Sequence, residues 1–302
     1  MRQCGRMMVC IVVILSALLV LPTAAQEPTT EPTYDPACPM TLLRAYMSGW
    51  EYNHRDGTEL DTVQAAQVAR AVYTAFEPLK INCGYPNGYY KQNLLRTMRG
   101  DYPPEDLARM LGYLEEVVGE GVTGECAFVV VEPFIDNVEW GDAAALEVGR
   151  AIGEIFRTVR ETVPTGECDA NFNLITNLLS QLDEIPPDGS LVRSLYDTLT
   201  DVTQGQYFSE YTCGYQMANT FFDKVDWDGM TSSEITRLVE SAFRMSYDIS
   251  GDKGCDEEPA LEITSMLLND VYQFEPDASI IQRTYDAASG LIVPVEATPT
   301  GD

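Results

Sequence analysis

The chain has 302 residues, 45% of them hydrophobic, with 47 Asp and Glu against 19 Lys and Arg. Two of the basic residues, Arg2 and Arg6, sit in an apolar-cored leader, so the remainder carries 17 basic against 47 acidic residues, a net charge of −30. Such a balance excludes nucleic acid as a partner, since that binding rests on neutralising phosphates with Lys and Arg. It also disfavours anionic membrane surfaces and points to a soluble chain that meets cationic partners, divalent ions or neutral ligands.

Residues 1–25 read as a secretory signal. Arg2 and Arg6 form the basic start, Met7 to Leu21 the apolar core, and Thr23-Ala24-Ala25 offers small residues for cleavage. The apolar core is short for a membrane span, which leaves a retained anchor as the alternative. Cys4 and Cys10 fall inside the leader. The expected location is secreted or extracytoplasmic, with the cell surface included and no membrane insertion after signal removal. Residues 26–37, QEPTTEPTYDPA, are a Pro/Thr/Glu-rich tether with little to bury, expected to be disordered.

Beyond the tether the cysteines are Cys38, Cys83, Cys126, Cys168, Cys213 and Cys255, at steps of 45, 43, 42, 45 and 42 residues. Fixed spacing in this range marks repeat architecture. A second marker keeps the same phase: Val68-Ala-Arg70, Leu107-Ala-Arg109, Val148-Gly-Arg150, Leu191-Val-Arg193, Ile235-Thr-Arg237 and Ile281-Gln-Arg283. Alternate segments are the more alike. Trp50, Trp140 and Trp227 follow the first, third and fifth cysteines, whereas the intervening turns carry Pro103-Pro104, Pro186-Pro187 and Pro276. The larger unit is therefore two helical hairpins, present three times, over residues 38–125, 126–212 and 213–295, with 296–302 as a tail. The first unit is the least acidic, 8 basic against 12 acidic residues, which suggests weak head-to-tail self-association.

Six cysteines in an exported chain imply disulfides, with 15 possible pairings. The double period favours one bridge per unit: Cys38–Cys83, Cys126–Cys168 and Cys213–Cys255. Each would be worth about 4 kcal/mol in the chain-entropy estimate. Packed neighbouring helices lie about 8–10 Å apart, yet a disulfide needs Cα atoms within about 7 Å. The cysteines must then sit at loop ends that bend together, beside Gly84, Gly214 and Gly254.

The fold class expected is all-α, about twelve helices as six αα-hairpins. The first helix begins near Met40, with Leu42, Leu43, Tyr46, Met47 and Trp50 on one stripe. Matching apolar sets recur at Val130, Phe134, Ile135 and Val138, and at Met217, Phe221, Phe222 and Val225. Second helices are expected near 59–78, 103–119, 142–162, 190–204, 231–248 and 277–290. Thr231-Ser-Ser-Glu234 supplies a capping box, Asp142 and Asp188 can cap, and Pro103-Pro104 suits a first turn. No stretch alternates with period two, so no sheet of consequence is expected. Asp188 to Arg193 and Asp277 to Arg283 resemble the second helix of HEAT-type repeats, in which an acidic turn residue pairs with an Arg about six positions on. The resemblance implies a solenoid architecture and no particular activity. Stacked bundles and a closed ring of six hairpins stay open as alternatives.

Catalytic constellations are absent from the sequence. His54 is the only histidine, in a turn that reads as exposed, so a hydrolase triad or histidine zinc site would rest on it alone. No nucleotide-binding loop or nucleophile elbow occurs. Residues 223–234 approximate a calcium loop, but with Gly229 at position six a carboxylate is missing at both ends. Each ladder arginine reads as a core-flanking stem whose head meets an acid. The remaining signal is aromatic: Trp50, Trp140, Trp227, Tyr89, Tyr90, Tyr207 and Tyr211 cluster at turns and cysteines, where they suit protein or glycan contact or serve as plugs between hairpins. The expectation is a secreted, acidic, non-catalytic binding or structural module for a protein or glycan partner, with no cofactor and no metal. The alternatives are an α/α-ring carbohydrate-active enzyme using paired carboxylates and a divalent-cation-binding surface protein.

Overall fold

The computed structural model describes residues 35–54, 62–98, 101–119, 125–141, 143–163, 166–182, 184–203 and 211–292. The leader, most of the tether and the tail lie outside these residues. The described chain is all-helical, with no strands. In chain order the α-helices are α1 Cys38–Asn53, α2 Thr62–Phe76, α3 Asn87–Thr97, α4 Pro104–Gly119, α5 Glu125–Asn137 and α6 Ala145–Thr162. They continue as α7 Ala170–Gln181, α8 Ser190–Thr203, α9 Cys213–Phe222, α10 Ser232–Ser250, α11 Pro259–Asp270 and α12 Ser279–Ile292, with short 3₁₀ turns before α3 and α11. No described helix is long and apolar enough to cross a membrane.

The helices sort into two layers. Even-numbered helices pack in succession from α2 to α12, and odd-numbered ones pack α1 on α3, α3 on α5, α5 on α7 and α9 on α11. The layers meet within hairpins, as in α5 with α6 and α11 with α12. Among the described residues, α1 and α12 share no interface of the extent that joins neighbouring helices. The apolar stripes expected from sequence supply the core: Leu42, Tyr46, Val130, Phe134, Ile135, Met217 and Phe221 are all buried. Each such side chain contributes roughly 1.5–3 kcal/mol on leaving water.

Three disulfides join Cys38 to Cys83, Cys126 to Cys168 and Cys213 to Cys255, with Cα separations of 5.5, 4.7 and 4.5 Å. Such short separations arise because each bridge sits at the N-terminal end of an odd helix and reaches the loop or turn before the next one. The glycine that permits the first approach is Gly88, where a Cβ would lie 2.1 Å from the Cys83 carbonyl oxygen. Gly214 serves a different contact, since a Cβ there would meet Ser250 Oγ of α10 at 2.6 Å.

Helix starts follow their local chemistry. Thr231 Oγ1 accepts from the Glu234 N–H at 3.4 Å while Glu234 returns a bond to the Thr231 N–H at 2.9 Å, completing the capping box. Asp169 caps α7 through the Phe172 N–H at 2.9 Å and also accepts from the Tyr196 hydroxyl on α8 at 2.9 Å. Glu258 at the start of α11 takes the Tyr285 hydroxyl of α12 in the same way, at 3.1 Å. Asp188 and Asp277 accept from the N–H groups of Ser190 and Ser279, whereas Asp142 lies outside the described residues. Isolated parallel bridges, Val138 with Ile185 and Val225 with Phe274, tie the turns of adjacent hairpins.

Candidate binding surface

The residues picked from sequence as partner contacts divide sharply. Trp50, Trp140 and Trp227 are 2%, 6% and 5% exposed, and Tyr90 is 2% exposed, so these four rings are interior plugs and not surface contacts. The reason is packing at the helix ends. Trp50 stacks on His54 at 4.1 Å and donates its indole N–H to Asp101 at 2.9 Å. Trp140 meets Phe134 edge-on at 5.9 Å, and its N–H has no partner among the described residues. Trp227 lies 6.0 Å from Phe222 and donates to that residue's carbonyl at 3.2 Å. The three tryptophans are also not fully equivalent: Trp50 is inside α1, while Trp140 and Trp227 follow the ends of α5 and α9. Tyr89 and Tyr211 are exposed, 46% and 75%, each near a disulfide. Tyr207 lies outside the described residues.

His54 is not the free turn residue its sequence context suggests. Its Nδ1 lies 2.8 Å from the Trp50 carbonyl oxygen and its Nε2 3.4 Å from Asp101, so it closes a Trp50–His54–Asp101 clasp at the end of α1. Lys91 and Arg96, both on α3, take separate partners. Lys91 is fully buried and pairs with Glu115 of α4, whose other oxygen accepts from the Asn82 N–H at 3.3 Å. Burial lowers the Lys91 pKa, against the opposing pull of Glu115. Burial likewise holds the neighbouring Tyr90 hydroxyl well above its usual pKa, and that hydroxyl has no hydrogen-bond partner. Arg96 donates to Asn93 at 3.0 Å, and Arg99 lies outside the described residues.

The arginine ladder meets acids by several routes. Arg283 bonds Asp277 at 3.1 Å, the six-residue pairing expected of a HEAT-like turn. Arg193 instead reaches Glu161 of α6 at 3.0 Å and Asp197 at 3.3 Å, while Asp188 is engaged by backbone. Arg237 donates to the Ser233 carbonyl at 3.1 Å. Arg193 and Arg237 line charged grooves on the even layer. One lies between α4, α6 and α8, where Arg150, Arg157 and Arg193 alternate with Glu154 and Glu161, and Arg157 lies 5.5 Å from the Tyr113 ring. Another, of about 510 Å³, holds Glu234, Arg237 and Asp277 between α10 and α12.

The odd layer carries a groove of different chemistry. Between α9 and α11, about 470 Å³ is lined by Tyr215, Gln216, Asn219, Ser265 and Asn269, with Glu262 as the one charged side chain. Cys255 also faces it, so the Cys213–Cys255 bridge fixes one end. Exposed Tyr211 precedes α9 by two residues at that same end. Amide and hydroxyl groups flank both walls, and helix backbones hold them at fixed spacing. Sequence reasoning missed this groove because its residues fall on the polar faces of two helices whose relative placement only the packing sets. Tyr211 beside Cys213 was the legible part.

No Asp or Glu is buried among the described residues. Partial burial raises the pKa of Asp136 and Asp223, with Arg96 and Lys224 respectively pulling the other way. No group of three or more His, Cys, Asp or Glu that could hold a metal ion is found among the described residues. Comparison with protein-family models, curated proteins and solved structures finds no match for this chain.

Proposed function

We propose that the protein is a secreted, acidic, non-catalytic binding module whose partner, a glycan or a polar protein segment, seats in the α9–α11 groove. The observation that carries this reading is the lining of that groove. In a chain with 47 acidic residues, it presents amides, hydroxyls and a tyrosine ring with a single carboxylate. Sugar hydroxyls and peptide groups are met by such paired donors and acceptors, and an aromatic face supplies apolar contact. Three disulfides fit an extracellular setting, where such bridges persist. The carbohydrate-active alternative calls for two carboxylates facing across a cleft. The described grooves are open, and their acids are paired with arginines or exposed.

A glycan array probed with the purified protein, followed by calorimetry on the best hit, tests the reading. Asn219→Ala and Asn269→Ala, each on a groove wall, are expected to weaken binding at least tenfold, about 1.4 kcal/mol, with the fold unchanged by circular dichroism. Binding that both variants leave intact would remove the groove from the proposal. Release of new reducing ends from a bound oligosaccharide would replace the non-catalytic reading with the enzymatic one.

A further inference from the structure

The third, seventh and eleventh helices end in the same way, on an apolar C-cap: Met98 after α3, Leu182 after α7 and Val271 after α11. Stepping back four and eight residues from each cap follows one stripe along the helix. On α3 the stripe is Tyr90, Leu94 and Met98, all at most 2% exposed, and on α7 it is Leu174, Leu178 and Leu182, at most 8% exposed. On α11 the same register is Ile263, Leu267 and Val271. Here Ile263 is only half-buried, and Leu267 and Val271 are each 38% exposed. Tyr272 beside them is almost wholly in solvent.

What covers the stripe on α3 is visible. Helix α5 packs on α3, and Phe128, two residues past Cys126, lies 5.7 Å from Tyr90 and 5.3 Å from Phe156, which itself lies 5.1 Å from Tyr90. Seven residues on from Phe128, two helical turns along α5, Ile135 is buried. Counting from Cys38 as Phe128 and Ile135 are counted from Cys126, the residues of α1 in these positions are Met40 and Met47. Met40 is 41% exposed and Met47 half-buried. One end of the helical stack thus presents the covering half of an internal interface, and the other end presents the covered half. Methionine suits such a face because its unbranched side chain adapts to the surface it meets.

We propose that copies of this chain associate head to tail, with Met40 and Met47 on α1 of one copy seated on Ile263, Leu267 and Val271 of α11 of the next, as α5 seats on α3 within the chain. The occupant is a second copy because the chain itself carries the complementary half of the contact, in the same register as a contact it already makes. A contact between two different surfaces does not close on itself in a pair, so it extends into longer rows. Both ends belong to an acidic protein, so the rows lengthen with added salt as repulsion is screened. The stripe is offset around α11 from the groove residues Glu262, Ser265 and Asn269, with Met266 of the groove lying next to it.

Sedimentation of the purified protein over a concentration series at low and high salt tests this. The expected result is a concentration-dependent series that passes beyond the dimer and is promoted by salt. Met40→Glu and Leu267→Glu should each be monomeric alone. Mixed, they should form a one-to-one dimer and nothing larger, because each retains the face the other lost. A monomer under all conditions overturns the proposal. So does a Met40→Glu variant that still dimerises, since α11 would then pair with itself. Association that appears only when residues 293–302 are removed would show that this chain's own tail covers the stripe, and would also overturn it.

Discussion

The pair of fully buried Lys91 with half-buried Glu115 offers the sharpest test of the packing. Lys91 lies seven residues before its helix's C-cap, and the residues in that place on α7 and α11 are Ile175 and Thr264, all three fully buried. Glu115 lies six residues past Arg109, and the matching residue past Arg193 is Leu199, also buried. The segment from Cys83 thus carries an ion pair where the segment from Cys168 carries buried Ile and Leu. Glu115→Leu should strand the amine. Keeping it charged costs about 3–5 kcal/mol, the loss from breaking a buried pair. Neutralising it at pH 7 costs at most about 5 kcal/mol, from an ordinary pKa of 10.5. The folded pKa of Lys91 lies below its unfolded value, so between the two the unfolded chain holds more protons and stability rises with pH. Without Glu115 that window widens downward, and the variant's deficit should shrink as pH climbs toward 10.5. Lys91→Ile combined with Glu115→Leu should return to within about 1 kcal/mol of the parent or exceed it. Guanidinium unfolding with the disulfides intact, followed by far-ultraviolet circular dichroism at neutral and alkaline pH, measures all three. A single variant as stable as the parent at pH 7, or a double variant as weak as the single, would refute the argument.

Three further outcomes are expected from the same assay. Tyr90→Phe removes a buried hydroxyl that has no partner and should stabilise by about 1 kcal/mol. Trp227→Phe loses the bond to the Phe222 carbonyl, whereas Trp140→Phe loses only an unpartnered N–H; the first should therefore be the more costly, by about 1 kcal/mol. Thr231→Ala dismantles the capping box of α10 and should cost about 1 kcal/mol, while Thr231→Ser should cost little.

The all-helical class was legible because it depends on periodicity, which is local. Stripes such as Met217, Phe221 and Phe222 repeat at helical spacing and become the buried faces of their helices. The capping box at Thr231 and the acidic cap at Asp188 were equally readable, since each bond spans two or three residues. The cysteine spacing likewise anticipated bridges at loop ends, where Cα atoms can approach closely.

Exposure was not legible, because it belongs to pairs of elements that the chain brings together. Tryptophans at helix ends look like surface residues until a neighbouring turn covers them, as the segment carrying Asp101 meets Trp50. Lys91 reads as a solvated cation until α4 delivers Glu115 to it. The α9–α11 groove joins side chains roughly fifty residues apart, and the stripe on α11 is unusual only beside its covered counterparts on α3 and α7. Which residues turn toward a core and where helices start are written in local order, since both follow from 3.6-residue geometry and backbone capping. Which polar faces meet and which apolar faces stay open is set by packing, because burial depends on what the rest of the chain places opposite.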